Sequence, residues 1–306
     1  MTLHSQTPLL ESQAFDVRPG ARVWLKMEAL QPSGSFKLRG IGHACATHAA
    51  RGARRIVASS GGNAGLAAAW AARRLGLPCL VVVPETTSTR ARALLAREQA
   101  QVCVHGASFQ EANAHAQSLL GPQDAFIHPF DDPLLWEGHA SMIDEVAQAG
   151  VRPDCVLLSV GGGGLLSGVV TGLQRQGWND VPVFAVETAG ADSYAQSLAA
   201  GERVELPAIT SIATSLGARK VSEHAFELAR THPIRPVVVT DREAVGACVR
   251  FLDDHRVLVE PACGAALALA YRGDGFLAAY ANVLVIVCGG ATATVEQLGA
   301  WEEQLR

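Results

Sequence analysis

The chain reads as an α/β protein of mainly parallel sheet, and three features predict it. Short apolar runs recur, each followed by a glycine-rich or polar turn and then by a segment of helical length. Apolar residues make up 49% of the 306 positions and charged ones 18%, the balance of a well-cored protein and not of a disordered one. Punctuation is concentrated near Pro32 and near Pro129. Strand and helix in alternation give a parallel sheet covered on both faces, and the punctuation divides it. A smaller domain of residues 35–135 is predicted within a larger one formed by residues 1–34 and 136–306, with a ligand cleft between them.

Residues 23–28 read as the first strand, 32–35 as a turn, and 36–51 as a helix with Lys37 near its start. Residues 55–59 are a buried strand, 61–63 a turn and 64–74 an alanine-rich helix. Strand 80–84, helix 90–97, strand 101–105 and helix 108–119 continue the alternation. Beyond Pro129 a helix contains residues 139–149, followed by strand 155–160, a glycine loop at 161–164, helix 165–175 and strand 183–187. Strands at 237–240 and 283–287 enclose two helices, one over 241–253 and one starting near Pro261.

Twenty-five basic residues stand against 29 acidic ones, a net charge of -4 without a basic block, so no phosphate backbone is an expected partner. Seven cysteines are scattered with no C-x-x-C pair, which points to a reducing cytoplasm. No apolar run approaches the ~20 residues that span a bilayer, and the first residues lack a basic-then-apolar leader. Neither secretion nor membrane insertion is expected; a small soluble substrate is.

Lys37 stands among Ser33, Gly34 and Ser35, next to Phe36. A primary amine placed there can form a Schiff base with an aldehyde, and Phe36 can lie flat against a heteroaromatic ring. The plain alternative is a solvated lysine, as Arg39 is read as a helix-surface charge. Gly161, Gly162, Gly163 and Gly164 lie between a strand and a helix, where they form either a tight turn or a nest of bare N–H groups for a phosphate-sized anion. Four adjacent glycines do not supply the spaced pattern of a nicotinamide site. Asn63 serves as a helix cap or holds a pyridine hydroxyl, while Ser60 and the loop amides hold a carboxylate. Cys288 is a buried structural thiol, or one whose S–H faces a pyridine nitrogen. Asp131, Asp132, Glu137 and His139 match no closed zinc spacing and are read as a loop cap and helix-surface charges. Glu187, with the small-residue turns at 190–193 and 215–218, offers one carboxylate and several carbonyls, a set that suits a monovalent cation.

Taken together these residues resemble the fold-type II, or tryptophan-synthase-β-like, enzymes that use pyridoxal 5'-phosphate, in particular the short serine/threonine dehydratases of the L-serine dehydratase group. The resemblance covers nearly the whole chain. It rests on Pro32-Ser33-Gly34-Ser35-Phe36-Lys37-Leu38-Arg39-Gly40, on residues 59–65, on Phe130-Asp131-Asp132-Pro133 with Trp136-Glu137-Gly138-His139, on residues 159–166, on Val259-Glu260-Pro261-Ala262-Cys263-Gly264 and on Val287-Cys288-Gly289-Gly290.

The resemblance implies two open, twisted, mainly parallel sheet domains with the active site in the cleft. It implies that Lys37 holds the cofactor and later acts as general base, with Phe36 against the ring and Asn63 on its hydroxyl. Gly161, Gly162, Gly163, Gly164 and Leu165 would take the phosphate and Cys288 the ring nitrogen. Ser60, Gly61, Asn63 and Ala64 would receive the substrate. Gly161, Glu187, Ala191, Ser193, Leu216 and Ala218 match a potassium-like site. The implied reaction is L-serine to pyruvate and ammonia, with L-threonine giving 2-oxobutanoate, in an unregulated catabolic homodimer, since the chain ends soon after the Cys288 loop.

Racemisation and β-replacement are the same-fold alternatives, and a binding-only protein is the non-enzymatic one. In related serine racemases a serine occupies the position matched by Gly61, and some close dehydratases carry alanine there. Glycine has no proton to deliver. Among the small neighbours Ser60, Gly62 and Ala64, it predicts a loose pocket that accepts the methyl of Gly61→Ala.

Overall fold

The computed structural model describes residues 2–273 and 275–306. The chain opens with strands β1 (Leu9–Ser12) and β2 (Arg22–Lys26), a 3-10 turn at Glu28–Leu30, and helix α1 (Lys37–Ala50). Then come β3 (Arg55–Ala58), α2 (Asn63–Leu75), β4 (Cys79–Val83), α3 (Thr89–Arg97), β5 (Gln101–Val104), α4 (Phe109–Ser118) and β6 (Asp124–Ile127). The later part runs α5 (Pro133–Gln148), β7 (Cys155–Ser159), α6 (Gly164–Arg175), β8 (Val183–Thr188), α7 (Ser193–Ala200), α8 (Glu223–Leu228) and β9 (Ile234–Val239). It closes with α9 (Asp241–His255), α10 (Pro261–Tyr271), β10 (Asn282–Ile286) and α11 (Val295–Gln304).

Two sheets result. One has six strands in the order β1-β2-β10-β7-β8-β9 and the other four in the order β5-β4-β3-β6. Every pairing is parallel except β1 with β2, so the α/β, mainly parallel class read from the sequence is the observed one. Strands β4, β7 and β8 are buried along their whole length, which explains their continuous apolar runs. β9 begins at Ile234, ahead of the expected position, and carries Pro236; it lies at a sheet edge, where the missing N–H costs least. β1 and β6 were not anticipated. Each is four residues long and mixes polar with apolar side chains, too short a span to show a period. Helices end and begin on local chemistry. Asp132 accepts from the Leu134 amide at 2.7 Å with Pro133 at the first turn of α5, and Thr240 and Glu243 form a reciprocal cap on α9.

Arg39 and His139 are not surface charges, as the sequence suggested. Both are fully buried. Arg39 donates to both oxygens of Glu28, at 2.7 and 2.8 Å, and to both of Glu145, at 2.7 Å each. Lys26, also buried, bonds Glu145 and the Thr7 hydroxyl and carbonyl. Two cations thus meet two carboxylates beneath the first turn of α1, joining it to β2, α5 and the N-terminal segment. Removing one member of such a buried set costs about 3–5 kcal/mol because the partner charge is left unpaired. His139 accepts from the Gly40 amide through Nδ1 at 3.2 Å. Burial, then the Lys37 charge, lowers its pKa well below the ordinary value, so it is neutral. A Cβ at Gly40 would lie 2.5 Å from the Leu135 carbonyl and one at Gly138 2.5 Å from the Arg39 carbonyl. Glycine at both positions lets α1 and α5 meet backbone to backbone, which fixes where α1 begins.

Candidate active site

Three of the loops singled out in the sequence leave the carboxyl ends of parallel strands: residues 59–62 after β3, 160–163 after β7 and 287–290 after β10. They line a single cavity of about 920 Å³ together with Lys37. Ligands in open α/β sheets bind at this end of the strands.

Lys37 is the first residue of α1 and half-buried, with Nζ donating to the Pro129 carbonyl at 2.5 Å and lying 5.2 Å from the centre of the Phe36 ring. Burial pushes its pKa down to about 8, opposed by the nearby Cys288 and Glu260. It is therefore no solvated lysine. Its position is set by the segment before it. Ser35 bridges Gly289 antiparallel, the Phe36 amide donates to the Cys288 carbonyl at 3.0 Å, and the Gly290 amide donates to the Gly34 carbonyl at 3.0 Å. That short ladder holds Cys288 and Lys37 in one cavity. Hydrogen bonding with the Cys263 thiol, then burial, raises the Cys288 pKa well above the ordinary thiol value, so it stays an S–H group.

The glycine loop is shaped by what presses on it. A Cβ at Gly164 would lie 2.7 Å from the Phe130 carbonyl, and one at Gly161 3.1 Å from Leu216 Cα. At Gly162 it would enter the Phe130 ring, and Gly163 has a φ of +96°. The amides of Gly161, Gly162, Gly163, Gly164 and Leu165 find no protein acceptor among the described residues. Open amides at the head of the twelve-residue α6 fit the phosphate of pyridoxal phosphate.

Asn63 heads α2 and ties two other loops together. Its amide nitrogen donates to Glu260 at 2.6 Å and its oxygen accepts from the Ala291 amide at 3.0 Å. The second amide hydrogen is left for a ring hydroxyl. Ser60, Gly61 and Ala64 line the same cavity, and the Ser60 hydroxyl accepts from the Gly62 amide at 3.2 Å. The loose pocket expected around Gly61 is not what is found. A Cβ there would lie 2.6 Å from Thr87 Cγ2 and 2.9 Å from Thr87 Oγ1; Thr87 comes from the turn after β4, out of reach of a local reading.

Glu187 is fully buried, and its oxygens accept from the Tyr194 and Ala195 amides at 2.9 and 2.7 Å. Burial pushes its carboxyl up to about 8. Ala191, Ser193 and Leu216 are also buried, with Ser193 Oγ unpartnered among the described residues. The Leu216 carbonyl accepts from the Ala218 amide at 2.8 Å and would lie 3.3 Å from a Gly161 Cβ, so the turn at Leu216 backs directly onto the glycine loop.

Glu260 stands in one of the motifs quoted from the sequence, but no role was expected of it. It precedes α10, is 5% exposed, and burial raises its pKa, opposed by its hydrogen bonds and by Lys37. The available signal was a lone acid between apolar residues and a helix-starting proline, Val259-Glu260-Pro261.

The family model described as "Pyridoxal-phosphate dependent enzyme" matches residues 1–289. A human protein named "L-serine dehydratase/L-threonine deaminase" is 48% identical over 99% of this chain and 96% of its own length. A mouse "Serine dehydratase-like" protein is 50% identical over 99% of this chain and 95% of its own. The crystal structure of a fungal L-serine ammonia-lyase from Rhizomucor miehei superposes with a TM-score of 0.92 at 34% identity, covering all of both chains.

With Nζ near 8, the neutral, nucleophilic fraction is roughly a tenth at pH 7 and grows through pH 8. Covalent uptake of pyridoxal phosphate by the apoprotein, trapped with borohydride and located by peptide mass, is expected to rise in rate up to pH 8–9 and then level, with the label on Lys37. In Lys37→Ala no lysine-linked cofactor is expected at any pH.

Proposed function

Because this chain belongs to the fold-type II pyridoxal-phosphate-dependent enzymes, in their serine/threonine dehydratase family, we propose that it converts L-serine to pyruvate and ammonia, and L-threonine to 2-oxobutanoate and ammonia. The observation that carries this is Lys37, an amine poised near 8 inside a cavity shared with the open amides of the glycine loop and with residues 60–64.

When bound, pyridoxal phosphate supplies an aldehyde for the substrate amine and a conjugated ring that takes up the electron pair left at the substrate Cα. The amides of residues 161–165 would hold its phosphate, Phe36 would lie beside its ring, and Cys288 would offer its S–H to the ring nitrogen. Ser60 and the amides around Gly61, Asn63 and Ala64 hold the substrate carboxylate at the head of α2. Lys37, released from the Pro129 carbonyl, takes the Cα proton as general base. The β-hydroxyl leaves with a proton as water, and a water later adds as ammonia departs. Serine thus yields pyruvate and ammonia with no oxidant.

A potassium-like cation is part of the proposal. Its support is Glu187, a buried acid that no basic side chain meets among the described residues, and the remaining proposed ligands, Gly161, Ala191, Ser193, Leu216 and Ala218, are those the resemblance implies. The working form is proposed to be a cytoplasmic homodimer, for which the seven free thiols are the supporting feature as to compartment.

Two measurements test this reading. Holoenzyme given L-serine, L-threonine and D-serine is expected to release pyruvate and 2-oxobutanoate from the first two. Release of D-serine from L-serine faster than pyruvate would instead make it a racemase. Replacing tetramethylammonium chloride by potassium chloride at equal ionic strength is expected to raise the apoprotein melting temperature, with the increment lost in Glu187→Gln. An equal melting temperature in both salts would remove the cation.

A further inference from the structure

The turn after β4 carries Thr87 into the cavity beside the substrate loop. Its amide donates to the Pro84 carbonyl at 3.0 Å. Arg92, from α3, clamps the turn from outside, with Nε on the Thr87 carbonyl at 2.9 Å and Nη2 on the Glu85 carbonyl at 2.7 Å. Thr86 and Ser88 are exposed while Thr87 between them is half-buried, so the clamp turns this one side chain inward. A β-branched side chain on a fixed backbone has little freedom at χ1. Its methyl and hydroxyl stand where a side chain at position 61 would be, 2.6 and 2.9 Å from an ideal Gly61 Cβ. The hydroxyl has no hydrogen-bond partner among the described residues.

We infer that Thr87 is a specificity-determining residue: packed over Gly61, it closes the space beside the substrate Cβ and favours serine over threonine. The inference rests on the proposed elimination reaction. Serine brings a hydroxymethyl group to this place and threonine one methyl more. A single methyl in a tight apolar contact discriminates by roughly 10- to 200-fold. Since the two residues share one volume, position 61 can grow only if position 87 shrinks.

The test is a set of variants: Gly61→Ala, Thr87→Ser, Thr87→Ala and the double variant Gly61→Ala/Thr87→Ser. Thr87→Ser removes the methyl and keeps the hydroxyl. It is expected to raise the threonine-to-serine ratio of kcat/KM about tenfold, and Thr87→Ala to raise it at least as much. In the apoprotein, without any turnover, Gly61→Ala is expected to lower the melting temperature, and adding Thr87→Ser to restore most of the loss, a non-additive result for residues in contact. A threonine-to-serine ratio unchanged in both Thr87 variants, or additive effects in the apoprotein, overturns the inference. Failure of the wild type to eliminate serine overturns the reaction instead, and the apoprotein coupling still reports on the shared volume.

Discussion

Six residues hold the site together. Residues 34–36 lie against residues 288–290 as a short antiparallel bridge, with Phe36 bonded to Cys288 and Gly290 to Gly34. The first stretch leads into α1 and the second leaves β10 of the six-stranded sheet, so one backbone ladder joins the reactive amine to the loop bearing the thiol. Glycine makes this contact possible. Gly34, Gly289 and Gly290 have φ values of +78°, +103° and +148°, and a Cβ at Gly34 would lie 2.8 Å from that of Ala291. Asn63 adds a third partner to the junction by bonding Ala291 and Glu260 through its side chain, and so brings in the loop after β3.

The electrostatics follow from this closeness. Lys37 loses water on entering the cavity, which lowers its pKa, Glu260 is raised by burial in the same space, and Cys288 is raised by its hydrogen bond with Cys263 and then by burial. Charge is scarce at the chemistry and dense just behind it. Arg39, two residues beyond Lys37, is locked between Glu28 and Glu145, and Lys26 joins them. A buried set of four charges is a rigid footing because any displacement leaves a charge unsatisfied in low dielectric. The amine that must exchange partners is thereby mounted on a helix start anchored by these bonds.

Much of this was legible in the sequence, and for local reasons. Lys37 among small residues, the four glycines after a strand, and the strand-helix alternation are patterns within a few neighbouring positions. The parts that escaped are set by partners far along the chain. Arg39 meets Glu145 across 106 positions, Asn63 meets Glu260 across 197, and Thr87 packs on Gly61 from a different turn. Composition gave Arg39 and His139 the ordinary reading of charged or polar helix residues, and only the packing of α1 on α5 through Gly40 and Gly138 makes them interior. β1 and β6 escaped for a different reason. Four residues held by their neighbours in a sheet need no periodic pattern of their own.

The central claim is that the bridge between residues 34–36 and 288–290 sets the cofactor geometry. Gly289→Ala tests it most directly, because its methyl would press on the Gly34 carbonyl and lie 2.9 Å from Ala29 Cα. The measurement is the dissociation constant of pyridoxal phosphate from the apoprotein, by equilibrium dialysis, alongside the far-ultraviolet circular dichroism of the same sample. The account predicts a spectrum like that of the wild type and a dissociation constant raised roughly tenfold or more, about 1.4 kcal/mol of lost binding. An unchanged dissociation constant in a folded variant would contradict it.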